Sequence, residues 1–174
     1  MRRATNIIMP AILLLGVLAM LLTSGPGCGG KPTPTTTIYY EIGQASQTSR
    51  EILTVSSANR TDRYDRVGFG AMIDIYVTAP PGIKFVIVEV TVTNVGSGSL
   101  GISPNDFSLK DSEGRSYASR KYQGLDPYPS KKLSPGDSAY GYVVFAVPDI
   151  AAGLEISCVL QGLHPVLGVW QLAY

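Results

Sequence analysis

Ile83-Lys84-Phe85-Val86-Ile87-Val88-Glu89-Val90-Thr91-Val92-Thr93-Asn94 is the stretch that decides the fold. Val86, Val88, Val90 and Val92 fall at every second position and line one face of an extended strand. The other face begins apolar, with Ile83, Phe85 and Ile87, and turns polar at Glu89, Thr91 and Thr93. That pattern describes a central strand covered on both sides at its start and on one side at its end. Asn94-Val95-Gly96 then breaks it.

Downstream the same period recurs in short runs. Asp106 to Lys110 reads as a strand with Phe107 and Leu109 on one face, Asp111-Ser112-Glu113-Gly114 as a turn, and Arg115 to Ala118 as the returning strand of a hairpin. Pro135-Gly136-Asp137 opens a strand over Ser138 to Val147, with Val143, Phe145 and Val147 in step, and Pro148 ends it. Leu154, Ile156, Cys158 and Leu160 alternate with polar or small neighbours, and Val166 to Tyr174 closes the chain. Cys158 therefore reads as a buried small hydrophobe rather than a reactive thiol. Upstream, Glu51 to Ser56 and Ala71 to Val77 read as strands and polar Ala58 to Arg66 as a loop between them. Short strands with turn signals every ~8 to 12 residues, and no helical period, predict an all-β, immunoglobulin-like antiparallel β-sandwich over residues 38–174.

Four motifs in order carry a resemblance. They are Lys84-Phe85-Val86-x-Val88-x-Val90 ending at Asn94; Phe107-x-Leu109-x-Asp111-x-x-Gly114-x-x-Tyr117; Leu133-x-Pro135-Gly136; and Gly141-x-Val143-x-Phe145-x-Val147-Pro148. This pattern, from Ile83 to about Leu160, resembles the lipoprotein domains of immunoglobulin-like fold related to immunoprotective secreted antigens of mycobacterial type. The resemblance implies the sandwich fold and an extracytoplasmic place. The family has no agreed biochemical activity, so it implies no catalytic residue.

The first thirty residues point the same way. Arg2 and Arg3 precede an uncharged run from Ile7 to Leu22 and the small, turn-prone Thr23 to Gly30, the three parts of an export signal. Cys28 resembles the lipid-bearing cysteine of bacterial-type lipoproteins, with Gly27 before it, although Gly25 and Pro26 depart from that pattern. Three readings stay open for residues 1–27: a signal cleaved before a lipidated Cys28, an uncleaved membrane helix, or a signal cleaved to release the chain. The apolar run is short for a span and contains Pro10 and Gly16. Residues 28–37, rich in Pro and Thr, read as an extended stalk at about 3 Å per residue. Removing Arg2 and Arg3 from the 14 basic residues leaves 12 against 13 acidic ones, a net −1, so no basic footprint for nucleic acid remains. With Cys28 assigned to lipid and Cys158 to the core, no disulfide is expected.

Chemistry-bearing patterns are few. Gly96-x-Gly98-x-x-Gly101 follows a strand, but Ile102-Ser103-Pro104-Asn105 cannot begin the helix that a dinucleotide site needs. Cys158 and His164 suggest copper, yet His164 is the only histidine and a type-one site needs two. A Ser-His-Asp hydrolase would depend on the same histidine. Asp106, Asp111 and Glu113 fit no standard calcium loop. No cofactor and no catalytic residue is expected.

What remains is the long connection from Tyr117 to Lys132. It carries Tyr117, Arg120, Lys121, Tyr122, Tyr128, Lys131 and Lys132 against only Asp126. Tyr and Arg are favoured at partner contacts, and long loops on rigid sandwiches carry function. The expected role is a membrane-tethered, non-enzymatic module contacting an envelope protein or anionic polymer through this loop. The alternative is an extracytoplasmic carrier of a metal ion or small solute that serves a transporter.

Overall fold

The computed structural model describes residues 34, 36–67 and 75–173. The leader, Cys28, most of the Pro/Thr stretch and most of the strand expected at Ala71 to Val77 lie outside the described residues.

Two sheets face each other. One has the order β11 (Ser138–Pro148), β6 (Ile83–Asn94), β3 (Glu51–Thr61), β2 (Ala45–Gln47). The other has the order β1 (Thr36–Tyr40), β13 (Val166–Gln171), β12 (Glu155–Leu160), β8 (Phe107–Lys110), β9 (Ser116–Ala118). Two short pairs complete the fold: β10 (Lys131–Leu133) with β7 (Leu100–Ile102), and β4 (Arg63–Asp65) with β5 (Tyr76–Thr78). The chain crosses between sheets from β6 to β8, from β9 to β11 and from β11 to β12, the Greek-key crossing of an immunoglobulin-like sandwich. All named pairings are antiparallel except β1 with β13, where Thr36 lies opposite Val166 in parallel. Regular structure thus starts two residues inside the segment read as stalk.

Alternation explains the core. Val86, Val88, Val90 and Val92 of β6, with Val143, Phe145 and Val147 of β11, face Phe107, Leu109, Ile156, Leu160 and Trp170 of the other sheet. Cys158 is buried in the same cluster. Each such aliphatic side chain contributes about 1.5–3 kcal/mol when fully buried.

The motifs of the resemblance have structural jobs. Asn94 is wholly buried; its Nδ2 donates to the Gly98 and Leu133 carbonyls at 2.8 and 3.0 Å, and its Oδ1 accepts from Gly96 N–H at 3.0 Å. Gly136, at φ +86°, returns an N–H to the Asn94 carbonyl. In the β8–β9 turn the Asp111 carboxylate accepts from Glu113 N–H, Arg115 N–H, Arg115 Nε and the Tyr117 hydroxyl, at 3.0, 2.9, 2.7 and 2.7 Å. Burial works against ionisation of Asp111, but the Tyr117 and Arg115 hydrogen bonds outweigh it and hold the carboxyl down at about 2.

Two expectations are corrected. The segment Ala58 to Arg66 is not a loop: β3 continues to Thr61 and β4 follows. A bulge between Val55 and Ser57 shifts the facing, so Ala58 and Arg60 turn inward while Ser57, Asn59 and Thr61 face out. The inward Arg60 is tolerable because its guanidinium donates to the carbonyls of Pro148, Asp149 and Ala151. Two strands, β7 and β10, occupy segments expected to be loop. Between β7 and β8, Pro104–Asp106 forms one 3₁₀ turn with a Ser103/Asp106 capping box.

Candidate functional site

The outer face of the β11-β6-β3-β2 sheet is only partly covered, and a site forms at its edge of cover. Phe85 and Val144 form a small second core there with Tyr64 of β4, joined by half-buried Ile87 and Tyr122. The doubly covered start of the central strand is therefore real, and the cover is aromatic. Tyr64 meets Phe85 edge-on at 5.1 Å between ring centres and Tyr122 at 4.9 Å. Tyr122 continues to Tyr142 at 5.7 Å, and Tyr142 to Tyr140 at 5.7 Å. The Tyr140 hydroxyl donates to that of Tyr142 at 2.9 Å, which together with burial of the phenol raises the Tyr140 pKa. Burial likewise raises Tyr64 and Tyr122, so these phenols are neutral at ordinary pH.

Between the β4–β5 pair and Tyr122 lies a cleft of about 560 Å³. Tyr64, Tyr76, Tyr122 and Tyr142 supply its aromatic lining, Asn59, Thr61 and Asp65 its uncharged and acidic polar groups, and Leu125, 70% exposed, stands beside them. Arg63 also reaches it, with its guanidinium 4.7 Å from the Tyr76 ring centre. A second cleft of about 380 Å³ lies across Tyr122 and Tyr142, which line both, and adds Asn105, Ser119, Arg120 and Lys121.

The segment bearing Tyr122 is held like an irregular extra strand against β11. Arg120 N–H donates to the Val144 carbonyl, Tyr128 N–H to that of Tyr142, and Tyr142 N–H to that of Asp126, at 2.8, 3.1 and 2.9 Å. This contact protects the edge of β11. It requires glycine at 141, because a Cβ there would stand 2.6 Å from Tyr128 N and Cα and 2.8 Å from the Asp126 carbonyl.

Of the seven loop residues, Arg120, Lys121, Tyr122 and Tyr128 come together in the lining of the second cleft, whereas Tyr117, Lys131 and Lys132 do not line it. Tyr117 is tied to Asp111 at the hairpin turn. Tyr128, expected as a contact residue, is a core residue at 4% exposure, meeting Phe107 edge-on at 5.4 Å, and burial raises its pKa. Lys131 and Lys132 are exposed on β10, opposite Ile102 and Gly101 of β7. Arg120 and Lys121 are exposed in the lining of the second cleft, and Tyr122 is the one of the seven that lines both clefts. Sequence reasoning missed Tyr64, Tyr142, Asn59 and Asp65. Tyr140 and Tyr142 alternate with Val143 and Phe145, which would have marked them as outer-face residues of one strand.

Elsewhere, His164 is exposed, and among the described residues no group of three His, Cys, Asp or Glu is placed to hold a metal ion. Of the acidic trio weighed for calcium, Asp106 accepts from Ser103 N–H, Asp111 is engaged as above and Glu113 pairs with Arg115. A second buried carboxyl besides Asp111 lies outside the clefts. Glu51, 4% exposed, accepts from Gln161 N–H, and burial pushes its pKa up to about 7.

A family model described as a domain of unknown function, DUF4352, matches residues 40–162. Solved structures share the fold at low identity. An uncharacterised β-sandwich protein of Clostridium difficile is 12% identical, with TM-score 0.53 over 82% of this chain and all of its own. The "putative lipoprotein" YcdA of Bacillus subtilis is 12% identical with TM-score 0.53, over 72% of this chain but 37% of its own. The secreted protein MPT63 of Mycobacterium tuberculosis is 14% identical with TM-score 0.50, over 79% of this chain and 98% of its own. No curated protein sequence matches this chain.

Proposed function

This chain belongs to the DUF4352 family of domains of unknown function, and from that premise we propose that it is a non-catalytic binding module tethered outside the cytoplasmic membrane. The observation that carries the binding role is the aromatic cleft. Half-buried Tyr122 and Tyr142 and exposed Tyr76 and Leu125 line it, over a sheet whose outer face turns to Glu and Thr farther along β6, and clefts with aromatic lining and a few polar groups are where ligands bind. The outward place rests on the export-type leader and stalk, and is supported by the lipoprotein designation of the Bacillus subtilis neighbour and the secretion of the mycobacterial one. Lipid on Cys28 is the anchor that best joins these features. Partner contact falls on the surface around Tyr122, because Tyr117 and Tyr128 are committed to the fold.

Two experiments test this reading. Cys28→Ser should move the chain out of the membrane fraction; retention there would replace the lipid by an uncleaved helix. A photoreactive residue at Leu125, in intact cells making the full chain, should crosslink to envelope components, while one at Leu163, 86% exposed at the β12–β13 turn, should not. Crosslinking equal at the two positions, or absent at both, would end the proposal.

A further inference from the structure

We infer that the cleft between Tyr64, Tyr122 and Tyr142 binds an uncharged, β-1,4-linked glycan strand. This rests on the reading of the chain as an extracytoplasmic binding module and names what the module takes.

Three observations select this chemistry. First, the half-buried rings of Tyr122 and Tyr142, backed by buried Tyr64, offer electron-rich faces and edges to the C–H faces of a pyranose, and a β-1,4-linked strand is a flat ribbon that presents such faces in succession. Because Tyr122 and Tyr142 line both clefts, the aromatic surface runs from one into the other and suits a strand of several sugars.

Second, the cleft has both kinds of hydrogen-bonding group to spare. Among the described residues, the Asn59 amide and the Asp65 carboxylate make no side-chain hydrogen bond, and both line the cleft. A sugar hydroxyl donates and accepts, so it uses an amide and a carboxylate together. A proline-rich peptide, the other usual occupant of a tyrosine-lined groove, lacks proline N–H groups and offers mainly carbonyl acceptors, leaving Asp65 without a donor.

Third, the charge of the first cleft balances. Arg63 and Asp65 are the charged residues of the first cleft, one of each sign, and Arg63 is drawn onto the Tyr76 ring. There a polyanion would meet the Asp65 carboxylate beside that single arginine, whereas a neutral strand meets no opposing charge, and the exposed Arg120 and Lys121 of the second cleft are donors for its hydroxyls. The cleft volume lies within the ~300–1,000 Å³ of ordinary ligand sites.

The test uses the full chain in a detergent without a sugar headgroup. Linear hexasaccharides of β-1,4-linked N-acetylglucosamine and of β-1,4-linked glucose are titrated in, followed by NMR of backbone amides and by calorimetry. A proline-rich peptide and polyphosphate serve as contrasts. The expected result is saturable shifts at Asn59, Tyr122 and Tyr142 with at least one hexasaccharide, lost at least tenfold in affinity, roughly, on combining Asn59→Ala with Asp65→Ala. That double variant should unfold at the unaltered urea concentration. Silence with both hexasaccharides, tighter binding of either contrast, or unchanged affinity in the double variant would overturn the inference. If Leu125 crosslinks attach protein in cells while both hexasaccharides fail, the glycan inference falls and the binding-module reading stands. If Leu125 gives no crosslink, the reading itself falls.

Discussion

The two faces of β6 and β11 are built from alternate residues of the same strands, yet they do different work. Inward, Val86, Val88, Val90, Val92, Val143 and Phe145 meet the second sheet and are excluded from water. Outward, Phe85, Ile87, Tyr142 and Val144 are covered only by short pieces: the β4–β5 pair and the segment leading to Tyr128. Where that cover stops, tyrosines remain half exposed beside Asn59 and Asp65. The stability of the sandwich is thus concentrated on one face, which leaves the other free to carry a site at small cost.

The contrast can be broken or sharpened by substitution. On the inner face, Phe145→Ala removes a fully buried ring and should cost about 3–5 kcal/mol in urea unfolding. A loss near 1 kcal/mol would mean that the inner face is less tightly packed than described.

Next comes Glu51, the first residue of β3. Its raised pKa means that the folded state keeps a proton that the unfolded state has released. Its effect is therefore a stability that falls as pH rises from about 4.5 to about 7 and is level above that. Glu51→Gln keeps an acceptor for Gln161 N–H without the charge. It should flatten this fall and gain roughly 3 kcal/mol at pH 8, read from melts across pH. Asp111 has the opposite sign: its lowered pKa gives stability that is lost as pH falls from 3.8 toward about 2, so the melting temperature should also decline in acid.

Gly141 joins the two faces, since its missing side chain lets the Tyr128 backbone rest on β11. Gly141→Ala should cost about 1–3 kcal/mol and displace the segment bearing Tyr122, seen as loss of amide protection at Arg120 and Tyr128. The smallest effect belongs to the outer face proper: Tyr140→Ser, at an exposed ring, should change stability by no more than about 0.5 kcal/mol.

Much of this organisation is legible in single residues. The shift from Ile83, Phe85 and Ile87 to Glu89, Thr91 and Thr93 announces both the sandwich and the partial outer cover, because side chains alternate strictly along a strand. Cys158 falls in the core for the same reason. The site is less legible. The bulge at Val55/Ser57 turns a polar run into the outward edge of a strand, and a bulge leaves no mark in a pattern of alternation. Tyr117, Tyr122 and Tyr128 look alike in sequence, yet one closes a turn, one lines the clefts and one fills the core. What separates them is the docking of their segment on β11, a contact made by backbone hydrogen bonds and one glycine.

The division of labour between the faces is tested most directly by one variant, Tyr142→Ala, measured twice: by urea unfolding and by Leu125 crosslinking in intact cells. The expected result is a stability loss of about 1 kcal/mol, well short of that for Phe145→Ala, together with loss of the envelope crosslink. Undiminished crosslinking by Tyr142→Ala, or a stability loss as large as that of Phe145→Ala, would contradict it.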